Sequence, residues 1–297
     1  MGLSYTSSSH FVDVWVDGVF KGSFMLTENI DVGKNRVDID TETGTDVLLE
    51  LEAHREESDV TYIRTGKYGL RFAINEPEIP TWEQENSIKS RLSTVESALA
   101  SGNWTRVSSV LDIDSFVNFY IMSEFAKQVD FSFSSTRFYF KGDKLYAGPG
   151  WDYDLAMGNV GARMYDDYIL YNNEGVGTKT GNSWEGIWCT KMKWFERLLT
   201  YSQFKAAVKA RFTEVAPILI NTFEANELGE SRIDKILSEN GTSFARNYEV
   251  WDIVKDDVSD ALAVARTPDP TFEENVGYLR TWLKNRYEYL NGVFSNY

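Results

Sequence analysis

The sequence predicts an α+β chain, with a β-rich front over about residues 10–80 and a mostly helical stretch over residues 81–297. Three observations carry this reading. Apolar and polar residues alternate in short runs through the front of the chain. After Pro77 and Pro80 the apolar period lengthens to that of a helix, and two short β runs return near residue 140.

Taken in order, Val12, Val14 and Val16 alternate with Asp13, Trp15 and Asp17, and Asp17-Gly18 is a type I′ turn signal before a second strand over Val19 to Leu26. Arg36 to Asp40, Val47 to Leu51 and Leu70 to Ile74 continue the β pattern, so a small antiparallel sheet is expected. Ile88, Leu92, Val95 and Leu99 then recur at helical spacing, with Gly102 just past the helix end. Asp114 is expected to cap an apolar helix running through Phe116, Phe119, Tyr120 and Phe125. Arg137 to Phe140 and Leu145 to Ala147 read as a hairpin around Gly142-Asp143. Residues 158–190, rich in Gly, Asn and Thr, read as a long loop. From Met192 the chain reads as helical, and Thr271 with Glu274 forms a capping box for a last helix that turns Val276, Leu279, Leu283 and Leu290 inward.

Composition bounds the function. At 297 residues the chain makes one large domain or two lobes. Its 30 Lys+Arg against 45 Asp+Glu give a net charge of −15. That balance argues against nucleic acid or an anionic membrane surface as the main partner, because phosphate binding needs a basic face. Cys189 stands alone beside His10 and His54, which excludes a disulfide framework and a Cys/His metal cluster. No apolar run is long enough to span a bilayer as a helix. Met1-Gly2 is followed by neither a basic nor an apolar leader segment, as expected where a signal peptide has been replaced or never existed.

The strongest local feature is Trp151-Asp152-Tyr153-Asp154, just past the hairpin. In an extended segment, residues two apart point the same way, so Asp152 and Asp154 could present two carboxylates to one divalent cation. Hard oxygen ligands favour Mg²⁺ or Mn²⁺ over zinc. The alternative is a pair of turn carboxylates bonded to backbone amides. Asp130 follows the apolar helix and precedes Phe131-Ser132-Phe133-Ser134-Ser135-Thr136. An aspartate about twenty residues before a metal-binding one matches the division of labour in protein kinases, where the first accepts the substrate proton and an Asn five residues on holds a second metal. Ser135, a weaker oxygen ligand, stands at that fifth position. The alternative for Asp130 is a helix-end cap or a partner of Arg137.

Glu28 ends a strand, where it could orient a nucleotide-binding cation or be an edge charge; Arg36, Lys67 and Arg71 are candidate phosphate contacts or plain surface charge. Gly175 to Gly181 lacks the spacing of a phosphate-binding loop and reads as a flexible loop. Asn103-Trp104-Thr105 and Asn240-Gly241-Thr242 match the glycosylation sequon, a pattern too short to carry weight. Trp194, Phe195 and Trp282 lie at core spacing, and His10 and His54 read as surface residues.

Together these segments resemble the CotH kinase family, which is similar to atypical protein kinases. The resemblance runs over roughly residues 11–295. It starts at Val14-Trp15-Val16-Asp17-Gly18-Val19-Phe20-Lys21-Gly22 and continues through Leu26-Thr27-Glu28, Leu48-Leu49-Glu50-Leu51 and Gly69-Leu70-Arg71-Phe72-Ala73-Ile74 to Pro77-Glu78. It is most specific at Val129-Asp130-Phe131 with Ser134-Ser135-Thr136, and at Gly148-Pro149-Gly150-Trp151-Asp152-Tyr153-Asp154 with Gly158-Asn159. Trp194 to Leu198 and the helix from Leu279 to Arg286 also match it.

The resemblance implies a reduced protein-kinase-like fold that binds ATP and Mg²⁺ or Mn²⁺ and transfers phosphate to Ser/Thr hydroxyls of a protein. Asp130 matches the catalytic aspartate, Asp152 the metal-binding aspartate with Asp154 its neighbour, and Glu28 an acidic residue of the small lobe. The chain departs from many members at Ser135, where they carry Asn, and at Asn75, where a Lys is common; Lys67, Arg71 or Arg36 would then supply the missing charge. Residues 10–80 would cover the nucleotide. An extracellular or spore-surface location follows from the resemblance and the scarcity of cysteine. Two alternatives stay open: a non-catalytic structural module of a coat or extracellular assembly, and a carbohydrate-binding module tied to extracellular polysaccharide degradation.

Overall fold

The run Val47-Leu48-Leu49-Glu50-Leu51 is apolar on both faces except at Glu50, the pattern of a strand covered on two sides. In a computed structural model, which describes residues 2–42, 45–53, 57–159, 183–251 and 271–297, that run is β3 (Val47–Leu51), the central strand of a five-stranded sheet. With β4 (Tyr62–Arg64), β5 (Arg71–Glu76), β6 (Thr136–Lys141) and β7 (Lys144–Ala147), the order is β4-β5-β3-β6-β7, and every pair is antiparallel. Strands from the front of the chain therefore share one sheet with the hairpin near residue 140.

One sheet face carries the main core. Leu49, Leu51, Phe72, Ile74, Phe138 and Phe140 point into it and are buried. Helices α1 (Trp82–Ala100), α2 (Trp104–Val110), α3 (Ile113–Ala126), α4 (Lys193–Leu198), α5 (Ser202–Phe223) and α7 (Phe272–Phe294) contribute to the same core. Trp194 stacks on Phe72 with ring centres 5.2 Å apart and meets the edge of Phe138 at 5.1 Å. Each such fully buried aromatic contributes about 1.5–3 kcal/mol through area removed from water. The expected core positions Ile88, Leu92, Val95, Leu99, Phe116, Phe119, Tyr120, Phe125, Trp194, Phe195 and Trp282 are all buried. Thr271 and Glu274 form the expected capping box of α7.

The other face of the sheet is covered by a short lid. Ile30, Val37 and Ile39 pack on Leu48 and Tyr139, with Trp151 partly buried beside them. Here the expected strand over Arg36 to Asp40 does not form; the segment makes only a single bridge, Val32 to Val37. A tight turn explains the difference: the Arg36 N–H donates to the Gly33 carbonyl at 2.9 Å. Alternation in this segment reflects burial of Val37 and Ile39 into the lid rather than strand pairing.

The first hairpin, β1 (Ser9–Val16) with β2 (Val19–Thr27), is a separate two-stranded sheet. Asp17 and Gly18 have φ of 51° and 76°, as a type I′ turn requires. The hairpin docks on α6 (Arg232–Val250): Asn247 Oδ1 accepts the Ser23 N–H at 2.9 Å, and Phe11 meets Phe244 edge-on at 4.7 Å. A Cβ at Gly22 would lie 2.8 Å from Asn247 Oδ1 and from Trp251 Nε1, so this approach needs glycine. His10 is exposed on β1, whereas His54 and the Gly175–Gly181 segment fall outside the described residues, as does much of the expected 158–190 loop.

The start of α3 corrects another expectation. Asp112, not Asp114, is the N-cap: its carboxylate accepts the Ser115 N–H at 2.9 Å, and its own N–H donates to the Leu145 carbonyl at 2.9 Å. The bond to β7 fixes the chain two residues earlier, which puts Asp114 inside the first turn.

At its other end α3 carries a buried ion pair. Arg286 and Glu124 are both fully buried, with Arg286 Nη2 donating to Glu124 Oε2 at 2.8 Å. Arg286 Nε donates to the Glu124 carbonyl at 2.8 Å, and Nη1 donates to the carbonyls of Trp184 and Gly186 at 2.8 and 2.6 Å. The Glu124 carboxylate also accepts the N–H groups of Trp188 and Cys189 at 2.9 and 2.7 Å. Lys127, in a left-handed conformation at the helix end, sends Nζ to the carbonyls of Ser183 and Glu185 at 2.6 and 2.8 Å. One knot thus joins α3, α7 and residues 183–189.

Replacing Arg286 with Met leaves the Glu124 charge buried without its partner and should destabilise the fold by about 3–5 kcal/mol, read by denaturant unfolding. A second expectation concerns pH. Burial pulls the Lys191 ammonium down to about 7, partly offset by the Glu124 carboxylate. Unfolded chain holds that proton to near the ordinary value of 10.5, so between those limits the unfolded state binds more protons and stability rises with pH. Lys191→Met should flatten that rise between about pH 7 and pH 10 when unfolding is compared with wild type.

Candidate functional site

Because strand residues alternate between faces, Glu50 and Arg137 project opposite to their core neighbours Leu49 and Phe138. They are direct register partners on β3 and β6, and Arg137 Nη2 donates to Glu50 Oε2 at 2.9 Å. Only 11% of the Arg137 side chain and 16% of Glu50 are exposed. Asn75, at the bulge where β5 passes β3, directs Nδ2 to the same Glu50 oxygen at 3.4 Å. The Trp151 ring centre lies 5.2 Å from the guanidinium carbon. Burial pushes the Glu50 carboxyl up against the opposing pull of Arg137, and the nearby Asp152 charge adds to the rise. Burial likewise pulls Arg137 down, while Glu50 and Asp152 hold it up.

Asp152 reaches this pair from the segment after β7. Ser135, just before β6, and Asp152 both adopt left-handed backbone, with φ of 57° and 58°. Ser135 Oγ donates to Asp152 Oδ2 at 3.2 Å. The Gln128 side-chain amide donates to the Asp152 carbonyl and, at 3.4 Å, to that of Trp151. The backbone at Asp152 is thus not extended as expected, yet the two aspartates still meet. Burial raises the Asp154 carboxyl, and Asp152 raises it further as a like charge within hydrogen-bonding reach. At Gly158, a Cβ would lie 2.5 Å from Trp282 Nε1 and 2.7 Å from the Tyr278 hydroxyl, so glycine lets the acidic segment close onto α7.

Asp130 lies in a short 3₁₀ helix, Val129–Ser132, and is 8% exposed. Its carbonyl accepts the N–H groups of Phe133 and Ser134 at 2.7 and 2.9 Å. The turn is strapped from both sides: Trp188 Nε1 donates to the Val129 carbonyl at 3.1 Å, and Thr136 Oγ1 donates to that of Phe131 at 2.9 Å. Gln128, two residues before Asp130, bonds directly to the Asp152 backbone and so ties the two segments together. Arg137, weighed from sequence as a partner of Asp130, pairs with Glu50 instead.

The remaining candidates fall in three places. Glu28 and Arg36 form an ion pair at 2.6 Å on the lid side, and Glu28 also accepts the Ser8 N–H at 3.0 Å. That backbone bond, followed by the Arg36 charge, lowers the Glu28 carboxyl. Arg71 sits on β5, where Nε donates to the Glu52 carbonyl at 2.7 Å and the guanidinium lies 5.1 Å from the Tyr62 ring. Lys67 lies in the β4–β5 turn, held against α1 by the bond from its N–H to Glu96 Oε2 at 3.0 Å. The geometry therefore brings Ser135, Asp152 and Asp154 together, pairs Glu28 with Arg36, and leaves Lys67 and Arg71 on contacts of their own.

Glu50, Arg137 and Gln128 complete the cluster, and sequence reasoning assigned none of them a site role. The signal was present: a lone acid within the apolar run Val47–Leu51, and a base, Arg137, directly before the aromatic run Phe138-Tyr139-Phe140. Three side-chain atoms in this cluster are buried without a hydrogen-bond partner, namely Asn75 Oδ1, Gln128 Oε1 and Arg137 Nη1. Among the described residues, no group of three or more His, Cys, Asp or Glu is arranged to hold a metal. A Mg²⁺ site needs less, since that ion takes one or two carboxylates plus water and phosphate oxygens. The oxygen set of Asp152, Asp154 and Ser135 fits that requirement.

Removing either partner of the Glu50–Arg137 pair should destabilise the fold by about 3 kcal/mol, because the other charge stays buried unpaired. Glu50→Ala with Arg137→Ala together should cost less than the sum, with a coupling of about 1–3 kcal/mol in a double-mutant unfolding cycle.

No curated protein matches the chain. The family model described as CotH kinase protein matches residues 3–290, nearly the whole length. On that match, the chain belongs to the CotH kinase family.

Proposed function

We propose that the chain is an ATP- and divalent-metal-dependent kinase that phosphorylates Ser/Thr hydroxyls of a protein. One observation carries this reading: two mutually repelling carboxylates, Asp152 and Asp154, stand beside Ser135 and a buried Glu50–Arg137 pair, tied through Gln128 to the Asp130 turn. Three carboxylates and one guanidinium leave two negative charges, which a divalent cation neutralises. Bound ATP would supply the transferable phosphoryl group, and Mg²⁺ or Mn²⁺ the positive charge between it and the carboxylates.

Asp152 and Asp154 would hold the cation, with Ser135 orienting Asp152 or adding an oxygen. Asp130 accepts the proton of the acceptor hydroxyl, and its turn is fixed by Trp188 and Thr136 so that little reorganisation remains at reaction. Phosphoryl transfer asks the protein mainly for position and charge, which suits a site of rigid carboxylates. The β-rich front, residues 10–80, covers the nucleotide, with Glu28 and Arg36 as its ion pair nearest the lid. A substrate on the cell or spore surface or in an extracellular assembly goes with the family. No helix among the described residues is long and apolar enough to cross a membrane.

The test is thermal stability with ATP and Mn²⁺ or Mg²⁺. Ligand at 100 times its dissociation constant adds about 2.7 kcal/mol to the folded state. Asp152→Asn should abolish the metal-dependent shift. Asp130→Asn should keep the shift and lose phosphate transfer to protein. Undiminished metal-dependent binding in Asp152→Asn, or transfer persisting in Asp130→Asn, contradicts these roles.

A further inference from the structure

Arg137 occupies an unusual position for a buried arginine. Its Nη2 is held by Glu50 at 2.9 Å, its guanidinium lies 5.2 Å from the Trp151 ring centre, and its Nη1 is buried without a partner. Arginine carries five N–H donors, and leaving one pair unbonded inside a protein is unfavourable unless something else completes it. Nor does the pair secure the fold better than apolar side chains would, since buried ion pairs are often matched or exceeded by hydrophobic replacements of similar volume. The unbonded nitrogen belongs to the same cluster as Asp152, which acts electrostatically on both Arg137 and Glu50.

We propose that Arg137 is the phosphate-binding cation of the site, presented by Glu50 through Nη2 so that Nη1 receives a phosphate oxygen next to the Asp152–Asp154 pair. The inference rests on the nucleotide reading above and names a residue for it. Lys67, Arg36 and Arg71 are less suited. Lys67 lies in the turn fastened to α1, Arg36 is committed to Glu28, and Arg71 is bonded to the Glu52 carbonyl. A planar guanidinium can serve a carboxylate on one edge and a phosphate on another, which a lysine ammonium cannot do with the same geometry. Trp151 lies half-buried against the guanidinium and Nη1 is closed to solvent, so a phosphate oxygen reaches it only when the packing around it opens. Asn75 Oδ1, on β5 across β3 from Arg137, is likewise buried without a partner, and its Nδ2 reaches the same Glu50 oxygen.

The experiment compares binding of ATP and of adenosine, each with Mn²⁺, by titration calorimetry to wild type, Arg137→Lys and Asp152→Asn. Arg137→Lys keeps a charge for Glu50 and should fold. It should weaken ATP by about tenfold or more, the loss of one charge-assisted hydrogen bond, while adenosine affinity stays within about twofold. A purely structural arginine would instead lower both ligands together or neither. Should Arg137→Lys fail to fold, Glu50→Gln combined with Arg137→Gln removes both buried charges, and the same selective loss of ATP binding is expected. If wild type binds ATP, Asp152→Asn does not, and the Arg137 variants bind ATP as wild type does, the Arg137 role is overturned and the nucleotide site stands. If wild type binds neither ligand, the nucleotide reading falls and this inference with it.

Discussion

The Glu124 carboxylate, buried at the end of α3, is the constraint on which the rest of the site depends. It holds Arg286 from α7 and the N–H groups of Trp188 and Cys189. Trp188 in turn bonds to the Val129 carbonyl and so sets the turn that carries Asp130. Immersed charge of this kind is expensive to create and expensive to break, because each partner has given up water for the other's charge and a few fixed backbone groups. The consequence is a fixed turn at Asp130. The same carboxylate acts on its neighbour: the Cys189 thiol is pushed well above its ordinary range, first by its own burial and then by the Glu124 charge.

The second charged feature differs in kind. Glu50 and Arg137 face away from the main core, at the margin of a small lid, and their neighbourhood includes unbonded polar atoms and two crowded carboxylates. A pair optimised only for stability would have its hydrogen bonds completed, as Arg286 has through the carbonyls of Glu124, Trp184 and Gly186. Incomplete bonding beside like charges is what makes this cluster, and not the Glu124–Arg286 pair, the candidate site. The two ion pairs thus differ: Arg286 has its hydrogen bonds completed by protein, and Arg137 keeps Nη1 without a partner.

Much of the fold was legible in the sequence because periodicity reports burial directly. The apolar spacing of α1 and α3, the Asp17-Gly18 turn and the capping box of α7 all rest on local physics, and all appear where local rules put them. The failures share a cause. Arg36 to Asp40 alternates because it seals a lid, and Asp112 displaces Asp114 as cap because β7 bonds to its backbone. Both depend on partners far away in the chain. In the site, Asp152 with Asp154 was visible as a spacing. The role of Arg137 was not, because it arises only when β6 pairs with β3 and brings a base opposite Glu50 across 87 positions of sequence.

The most direct measurement is the position of the metal. Crystals grown with Mn²⁺ and a non-hydrolysable ATP analogue, with data collected to locate manganese by its anomalous scattering, should show the ion bound by the carboxylates of Asp152 and Asp154. Its phosphate ligands should lie on the side of the sheet that carries Glu50 and Arg137. Manganese bound elsewhere, with no nucleotide phosphate beside Asp152, would contradict the reading of this cluster as the site of phosphoryl transfer.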